Sequence, residues 1–320
     1  MTTIEHRNLG NSGLRVSTIG LGCNNFGRAG TVTETQEGTN AVIHAAIDAG
    51  VTLLDGADIY GAQRGQSETL MGNALKGRRD RVVLATKFGM DMQGVNGPDW
   101  GARGSRRYIR LAVEASLKRL QTGWIDLYQL HEPDPHTPIA ETLAALDDLV
   151  REGKVRYLGH SNLSGWQIAE AELTAELGGF EHFVSSQNEY SLLVRDAERE
   201  VLPAVRHFGL GFLPYFPLHN GILTGKYTRE GGPAQGRVTK LKPEVMANTD
   251  WDRMERYQAF CDDRGIPMLH ATFGWLLAQE NLTSVIAGAT TPEQVQQNAE
   301  AATAWQPTEG DLADLAAIFD

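Results

Sequence analysis

The sequence predicts an α/β fold in which eight parallel strands, each followed by a helix, close into a (β/α)8 barrel. The first observation is a regular alternation of short apolar or β-branched runs with segments of helical periodicity. The second is that most of these runs begin apolar and end polar, as expected of strands covered on both faces. Eight such units favour a closed barrel over an open sheet. The runs begin near Thr18, Leu53, Val82, Ile125, Val155, Val184, Gly211 and Ser284.

Helix-like segments follow the strands, and their ends carry recognisable signals. The Thr-Glu-Thr-Gln run at 33–36 predicts a capping box at the start of the first helix. Gly50, Gly153 and Gly209 follow helical segments at the position where a left-handed residue commonly ends a helix. The predicted helices span residues 33–49, 66–75, 106–120, 139–152, 165–177, 198–208, 268–280 and 292–302.

Two insertions lengthen the units after the third and seventh strands. The first, residues 89–105, is rich in glycine, and the second runs over residues 219–250 and leads into an extra helix at 251–264. Both follow a strand and precede its helix, so both belong to the C-terminal rim of the barrel, where this fold places its sites. We therefore expect these loops to border the functional site.

The remaining segments are short additions to one core. Residues 4–17 are typical of a β-hairpin around the Asn-Ser-Gly turn at 11–13, and residues 307–318 predict a C-terminal helix. No stretch rich in Pro, Gly or Ser separates two cores. The sequence predicts a single barrel domain over residues 1–320.

Composition restricts the classes of partner. The 320 residues are 41% hydrophobic and 22% charged, as in ordinary globular proteins, and the formal net charge of −11 argues against nucleic acid or an anionic membrane as partner. The segment 1–8 lacks the apolar run of a secretory leader, and no stretch is long and apolar enough to span a membrane. Cys23 and Cys261 are too few for a disulfide framework, so we expect a reducing, cytoplasmic location.

Four chemically active side chains are expected at neighbouring strand ends. The second strand leads to Asp55 and Tyr60, the third to Lys87 and the fourth to His131. A nearby ammonium should lower the pKa of the Tyr60 phenol, and Asp55 should hold that ammonium in place. His131 could hydrogen-bond a substrate carbonyl. Each residue alone is as often structural, but the four together suit carbonyl reduction.

A metal site is the main chemical alternative at this rim. His131, Glu132, Asp134 and His136 are residue types that barrel hydrolases use as metal ligands. The two prolines among them favour an extended chain that scatters these side chains, so we predict no metal.

The end of the last strand is a candidate anion site. Gly288 and Thr290 precede a predicted helix with Thr291 as N-cap, Pro292 at its first position and Gln294 closing a capping box. Free backbone N–H groups and the positive end of the helix dipole favour a phosphate there, although an ordinary capped helix gives the same pattern.

Taken together, the motifs resemble the aldo-keto reductase superfamily over nearly the whole chain. They are similar to the bacterial and potassium-channel-β-subunit-like branches of that family. The motifs are Gly20-Leu21-Gly22, the segment from Leu54 to Gly61, Ser67-Glu68, Ala85-Thr86-Lys87, the segment from Asp126 to His131, the segment from Gly153 to Gly159, Ser161-Asn162, Gln187 to Tyr190, Pro217-Leu218 with Gly221, Gly225-Lys226-Tyr227, and Gly288 to Asn298.

The resemblance implies reduction of aldehydes and ketones with NADP(H), with NAD(H) as the alternative cofactor. The family's catalytic tetrad falls on Asp55, Tyr60, Lys87 and His131, with Tyr60 as general acid. The implied cofactor residues are Gly22, Cys23, Asn24, Asp55, Ser161, Asn162, Gln187, Tyr215, Phe216, Pro217, Leu218, Gly221, Lys226, Gly288, Thr290, Gln294, Gln297 and Asn298. By position, the walls of the substrate pocket are expected at Asn25, Phe26, Phe88 and Trp100.

Five positions depart from the family pattern. Gly56 replaces the usual Thr after the catalytic Asp, and Phe216 stands where a Ser often meets the phosphates. His160 replaces an apolar residue and is interpreted either as a core histidine with satisfied hydrogen bonds, which we favour, or as a polar group near the nicotinamide. Thr290 and Gln294 stand where many relatives carry Arg, whose planar fork suits a 2′-phosphate.

The expected partner is a small-molecule carbonyl substrate, and a homo-oligomer is compatible with the sequence. Some relatives keep the barrel and cofactor yet act as redox-responsive regulatory subunits of a membrane protein. The complete tetrad favours catalysis here, and the regulatory role remains the alternative.

Overall fold

A computed structural model describes residues 4–234 and 236–320 and contains the predicted barrel. Its eight strands, numbered in chain order after the two short N-terminal strands, are β3 Ile19–Gly22, β4 Leu53–Asp55, β5 Val83–Phe88, β6 Ile125–Leu130, β7 Val155–Ser161, β8 Phe183–Gln187, β9 Gly211–Phe212 and β10 Val285–Gly288. They lie side by side, all parallel, in the order β10-β3-β4-β5-β6-β7-β8-β9. The (β/α)8 prediction is confirmed.

Backbone hydrogen bonds curl the sheet until its two end strands meet. Phe212 N donates to Asn281 O at 2.8 Å, Thr283 N donates to Phe212 O at 2.9 Å, and Ile286 N donates to Pro214 O at 3.3 Å. β9 is only two residues long, because Pro214 follows closely and has no N–H for a ladder. The carboxyl ends of all the strands therefore share one rim.

Twelve helices surround the sheet or extend from it within the described residues. They are α1 Gln36–Asp48, α2 Gln66–Ala74, α3 Arg106–Leu120, α4 Ile139–Arg151, α5 Gly165–Gly178, α6 Val201–Phe208, α7 Arg237–Leu241, α8 Pro243–Asn248, α9 Trp251–Asp263, α10 Met268–Leu277, α11 Pro292–Ala304 and α12 Glu309–Phe319. Short 3-10 turns occupy Val32–Glu34, Arg79–Arg81, Asp196–Glu198 and His219–Thr224.

Most of the predicted helix signals act as expected. Gly50, Gly153 and Gly209 all have positive φ after a helix. The capping box predicted at 33–36 is wrong: α1 is capped by Thr35, whose side chain accepts a hydrogen bond from the N–H of Gly38. Thr33 instead lies within a 3-10 turn, which offers an alternative start to the same helical pattern.

The predicted N-terminal hairpin closes the bottom of the barrel. β1 His6–Asn8 pairs antiparallel with β2 Arg15–Ser17. Leu9 and Val16 are fully buried and pack with the apolar side chains inside the barrel. Gly10 has φ +57°, and a Cβ there would lie 2.6 Å from the backbone N of Gly211, so the close approach requires glycine.

The two insertions differ in their structure. Residues 89–105, all of them described, form no helix or strand. After β9 the chain makes the 3-10 turn His219–Thr224 and then α7, α8 and α9, so three helices stand where the sequence predicted one extra helix. The two added helices are only five and six residues long, too short for their periodicity to be recognised.

Within the described residues, no helix is long and apolar enough to cross a membrane. The first three residues of the segment inspected for a secretory leader lie outside the described residues. The single-domain organisation stays a prediction.

Candidate active site

A buried ion pair lies at the rim of the barrel, between β4 and β5. Lys87 Nζ donates to both carboxylate oxygens of Asp55 at 2.8 Å and to the backbone O of Gly56 at 2.9 Å. Lys87 is fully buried and Asp55 is 3% exposed. Because all three N–H donors of the ammonium are used, the ammonium group is held in one position and one orientation.

Two glutamine side chains complete the surroundings of Asp55. Gln129 Nε2 on β6 and Gln187 Nε2 on β8 donate to Asp55 Oδ1 at 3.2 and 3.0 Å. Burial lowers the pKa of Lys87, but the neighbouring Asp55 and Tyr60 outweigh it and the net shift is upward. The ammonium is therefore charged at neutral pH.

The Tyr60 phenol lies beside this ammonium at the wall of a cavity. Lys87 Nζ is 5.3 Å from the centroid of the Tyr60 ring, and the His131 ring meets the Tyr60 ring edge to face at 5.9 Å. Burial raises the pKa of Tyr60, and the opposing effect of Lys87 is smaller. The expectation of a lowered pKa is wrong for the protein alone, so Tyr60 is a protonated phenol at neutral pH.

His131 is held neutral next to Tyr60. Burial and the charge of Lys87 lower the pKa of His131 to about 3. The side chain is 8% exposed, and its Nδ1 is buried without a hydrogen-bond partner among the described residues. A neutral imidazole can donate one N–H to a ligand without adding a second positive charge beside Lys87.

One cavity of about 1030 Å³ brings together nearly all the predicted site residues. Asp55, Tyr60 and His131 line it, and Lys87 lies immediately behind them. Every residue that the family resemblance implies for the cofactor also lines this cavity: Gly22, Cys23, Asn24, Asp55, Ser161, Asn162, Gln187, Tyr215, Phe216, Pro217, Leu218, Gly221, Lys226, Gly288, Thr290, Gln294, Gln297 and Asn298. Their individual roles stay predictions.

Asn162 organises the polar groups after β7. Its φ of +61° is left-handed, which turns its amide over the strand ends. Nδ2 donates to the backbone O of His131 at 2.9 Å, and Tyr215 OH donates to Oδ1 at 2.9 Å. Ser161 Oγ donates to Gln187 O at 2.7 Å. Amide and hydroxyl groups from three strands thus converge on the reacting end of the cavity.

Four cationic side chains line the cavity, and sequence reasoning identified only Lys226 among them. The other three are Arg28, Arg237 and Lys240. Burial lowers the pKa of Arg28 and of Lys226, and burial together with the charge of Arg28 lowers the pKa of Arg237 to about 10. Among the described residues, none of the four forms a salt bridge. No periodicity or motif distinguished Arg28, Arg237 and Lys240 from surface cations.

The ring of Phe216 lies near Arg237 and near one further cation, Lys242. The guanidinium of Arg237 lies 5.3 Å from the centroid of the Phe216 ring, and Lys242 Nζ lies 5.6 Å from it. Phe216 has φ +50° in the segment that follows β9. The departure from Ser removes a hydroxyl but supplies a ring face that attracts these cations.

The N-terminus of α11 differs in detail from the prediction. Thr291 caps the helix by accepting from the N–H of Gln294 at 3.3 Å, as predicted. The Gln294 side chain does not complete a capping box: Oε1 accepts from Thr290 N at 2.8 Å and from Thr290 Oγ1 at 3.1 Å. An anion would meet the Thr290 N–H only after this amide had turned away.

The expected substrate walls separate into three environments. Asn25 lines the cavity and is 7% exposed. Phe26 and Phe88 are fully buried core side chains, and the Phe88 ring stacks on Tyr128 at 4.7 Å between centroids. Trp100 is 77% exposed, lies under the guanidinium of Arg107 at 4.0 Å and does not line the cavity. The structure therefore brings only Asn25 to the site.

Two other departures are resolved by packing. The backbone O of Gly56 accepts from the Lys87 ammonium, and a Cβ on Gly56 would lie 3.2 Å from Met71 Sδ. His160 is fully buried beside Phe183 and does not line the cavity, but both its ring nitrogens lack partners among the described residues. His160 is a core histidine, as the favoured interpretation predicted. The prediction that its hydrogen bonds are satisfied is wrong.

The residues proposed as metal ligands are used elsewhere or spread apart. Asp134 accepts from the backbone N–H of Gly104 at 2.6 Å and from Thr137 Oγ1 at 2.7 Å. Within residues 4–234 and 236–320, no three His, Cys, Asp or Glu side chains are grouped closely enough to hold a metal ion.

Comparison with known proteins agrees with this geometry. The model of the aldo/keto reductase family matches residues 18–319. The chain is 38% identical over 305 residues to the uncharacterized oxidoreductase YrpG of Bacillus subtilis (strain 168), covering 93% of this chain and 91% of that protein. It is 33% identical to a probable voltage-gated potassium channel subunit beta of Oryza sativa subsp. japonica (93% and 91%) and 31% identical to the L-glyceraldehyde 3-phosphate reductase of Escherichia coli O157:H7 (93% and 87%). The expected resemblance is confirmed, and the chain belongs to the aldo/keto reductase family of oxidoreductases, whose members generally use nicotinamide cofactors.

Proposed function

We propose that this protein reduces aldehydes or ketones to alcohols with NADPH, with Tyr60 as the general acid. The observation that carries the proposal is the buried Asp55–Lys87 pair beside a protonated Tyr60, at one end of a cavity whose other walls carry uncompensated cations. A proton donor and a phosphate-binding wall in the same cavity suit a reductase with an anionic dinucleotide.

The residues present fit such a cofactor. The amides of Asn162 and Gln187 and the hydroxyl of Ser161 offer donors and acceptors for a carboxamide at the reacting end. Arg28, Lys226 and the other cations that line the cavity offer partners for phosphates. The cavity volume of about 1030 Å³ lies at the upper end of the roughly 300–1,000 Å³ typical of ligand sites, which leaves room for a dinucleotide and a small substrate.

The protein's own groups supply the proton and the orientation. When bound, the nicotinamide supplies the hydride that the carbonyl carbon accepts. His131, neutral at physiological pH, donates an N–H to the carbonyl oxygen and positions it. As negative charge develops on that oxygen, Tyr60 transfers its phenolic proton to it, which gives the alcohol. The resulting phenolate is stabilised by the Lys87 ammonium, which Asp55 keeps in place.

The preference for NADPH over NADH rests on the two arginines. Burial lowers the pKa of both arginines, and the charge of Arg28 lowers the pKa of Arg237 further, because the two like charges face the same cavity. An anion between them relieves this repulsion, and a 2′-phosphate is the group that only NADPH brings. We expect a clearly higher affinity for NADPH; equal or inverted affinities would contradict this part of the proposal.

The decisive test is turnover with a panel of aldehydes and ketones, followed as NADPH oxidation. Tyr60→Phe removes the hydroxyl and leaves the ring, so we expect turnover to fall by roughly two to four orders of magnitude. Cofactor affinity, measured by quenching of tryptophan fluorescence, should be unchanged. Normal turnover in this variant would refute the role of Tyr60.

A regulatory role is the competing proposal, because two relatives are named as probable potassium channel β subunits. NADPH binding without turnover of any carbonyl would favour it. The complete, correctly ordered Asp55–Lys87–Tyr60 arrangement favours catalysis instead. We place the protein in the cytoplasm, since Cys23 and Cys261 are both free and buried.

A further inference from the structure

Behind the tetrad, a second set of polar side chains is buried between the barrel wall and the helices α2 and α3. Asp58 and Glu68 are fully buried, and Asn96 is 5% exposed. Thr86 adjoins Lys87 on β5 and points to the opposite side of the strand, away from the cavity. The set therefore lies outside the barrel and does not contact the proposed substrate.

Asp58 connects the loop that carries Tyr60 to two other segments. Its N–H donates to the backbone O of Lys87 at 3.1 Å, and its own backbone O accepts from the N–H of Gly65 at 2.7 Å. Its carboxyl Oδ2 accepts from Asn96 Nδ2 at 2.8 Å. Asn96 belongs to the insertion 89–105, which also contributes Met90 to the cavity wall. Through its backbone and its side chain, this one residue joins β5, the Tyr60 loop and the insertion.

The oxygen of the Asn96 side chain is also hydrogen-bonded. Arg119 Nη1 donates to Asn96 Oδ1 at 2.8 Å, and Arg119 Nε donates to Glu68 Oε2 at 2.7 Å. Glu68 Oε1 accepts from Thr86 Oγ1 at 2.6 Å. Both polar ends of the Asn96 side chain are therefore occupied, which leaves the amide one orientation.

The network contains two carboxyl groups and one guanidinium. Burial and the charge of Glu68 raise the pKa of Asp58 well above its usual range, while Glu68 contacts Arg119 directly. These surroundings disfavour the charged form of the Asp58 carboxyl, and its Oδ1 is buried without a partner in the described part of the chain. An asparagine at this position keeps the shape of the side chain and an oxygen that can accept from Asn96 Nδ2.

We propose that Asp58 and Asn96 are positioning residues for Tyr60: their buried hydrogen bond couples the Tyr60 loop to the insertion at the cavity wall and fixes the phenol against Lys87. The proposal rests on the function proposed above. Tyr60 lies in the loop between β4 and α2, so tertiary contacts must order it. Displacement of a reacting group by about 1 Å can lower a rate by about 10²-fold, which makes such ordering consequential.

A second contact between the same two loops provides a matched control. Arg64 Nε donates to the backbone O of Asp91 at 2.6 Å, and this hydrogen bond is exposed. Water replaces an exposed hydrogen bond at little cost, whereas a buried one leaves an unpaired group when it is broken. We therefore expect Arg64→Met to have little effect on turnover, whereas loss of the buried hydrogen bond between Asp58 and Asn96 should have a large effect.

The kinetic test compares Asp58→Ala, Asn96→Ala and their double variant with Asp58→Asn and Arg64→Met. We expect kcat to fall roughly ten- to hundredfold in both alanine variants, while the affinity for NADPH changes less than about twofold. The double variant should be no slower than the slower single variant, because both break one contact. Asp58→Asn should retain wild-type turnover. Additive losses, or losses in NADPH affinity of the same size, would overturn the proposal.

Hydrogen exchange tests the coupling without any turnover, so it separates this proposal from the proposed function. Asn96→Ala should raise amide exchange in residues 56–65, which do not contain the substitution, and Asp58→Ala should raise it in residues 89–105. Asp58→Asn and Arg64→Met should leave both segments as in the wild type. Increases confined to the substituted segment would refute the coupling, even in a protein that reduces every carbonyl tested. Should Asp58→Ala fail to fold, Asn96→Ala alone decides.

Discussion

His160 gives the sharpest prediction about stability, because its ring nitrogens are buried without a hydrogen-bond partner among the residues that the structure describes. Its ring is fully buried on β7 and meets the Phe183 ring edge to face at 5.1 Å. Burial lowers the pKa of His160 to about 3 in the folded protein. In the unfolded chain the imidazole has its ordinary pKa of about 6.5.

The direction of the pH effect follows from the number of bound protons. Between pH 6.5 and 3 the unfolded chain binds a proton at His160 that the folded protein does not bind, so stability falls as the pH falls. Between pH 7 and pH 5 this difference amounts to about 2 kcal/mol of unfolding free energy from one side chain. His131 contributes in the same direction, but it is present in both proteins of the comparison and cancels.

The perturbation is His160→Leu, which replaces the two unpartnered nitrogens with an apolar side chain. Unfolding free energies from urea titrations at pH 7 and pH 5 should show a loss on acidification that is about 2 kcal/mol smaller than in the wild type. Phe183→Leu is the control: it weakens the same packing without a titrating group, so it should lower stability equally at both pH values. Parallel losses in wild type and His160→Leu between pH 7 and pH 5 would refute the reasoning.

Two further predictions concern the charged groups of the site. Lys87→Met leaves the Asp55 carboxylate buried without its cation, so we expect a loss of about 3–5 kcal/mol in unfolding free energy. Adding Asp55→Asn should restore most of it; a single variant as stable as the wild type in urea would contradict this. Arg237→Met should weaken NADPH binding roughly ten- to hundredfold, the equivalent of one charged hydrogen bond, with NADH affinity as the internal control. Equal losses for the two cofactors in a fluorescence titration would remove Arg237 from the 2′-phosphate.

The sequence was sufficient for the barrel and for the position of the site within it. Local apolar runs identify the strands. Each candidate site residue lies at the end of such a run or a few positions beyond it, as Lys87 lies near the end of β5. Because parallel strands end at one rim, assigning the strands is enough to bring Asp55, Lys87 and His131 together. The same local rules failed where two possible N-cap residues lie close together. At the start of α1 the cap is Thr35 and not Thr33.

The position of a residue relative to a strand end does not determine whether its side chain lines the cavity, packs in the core or faces solvent. Phe26 follows the end of β3 almost as closely as Asn25 does, and Phe88 is the last residue of β5, yet of these three only Asn25 lines the cavity. Trp100 lies farther along the insertion and is largely exposed. Arg28 and Arg237 are separated by more than two hundred residues, and only the closed ring places them on one cavity. Neighbours of this kind come from packing between distant segments, which no local pattern records.

Residue type and spacing along the chain were enough to predict the order of the barrel strands, the family and the rim position of the four candidate catalytic residues. Only the tertiary structure decided the protonation of Tyr60, the neutrality of His131 and the buried link between Asp58 and Asn96. The physical reason is that desolvation and partial charge depend on everything packed around a group. The groups that surround such a side chain come from several segments that are far apart along the chain.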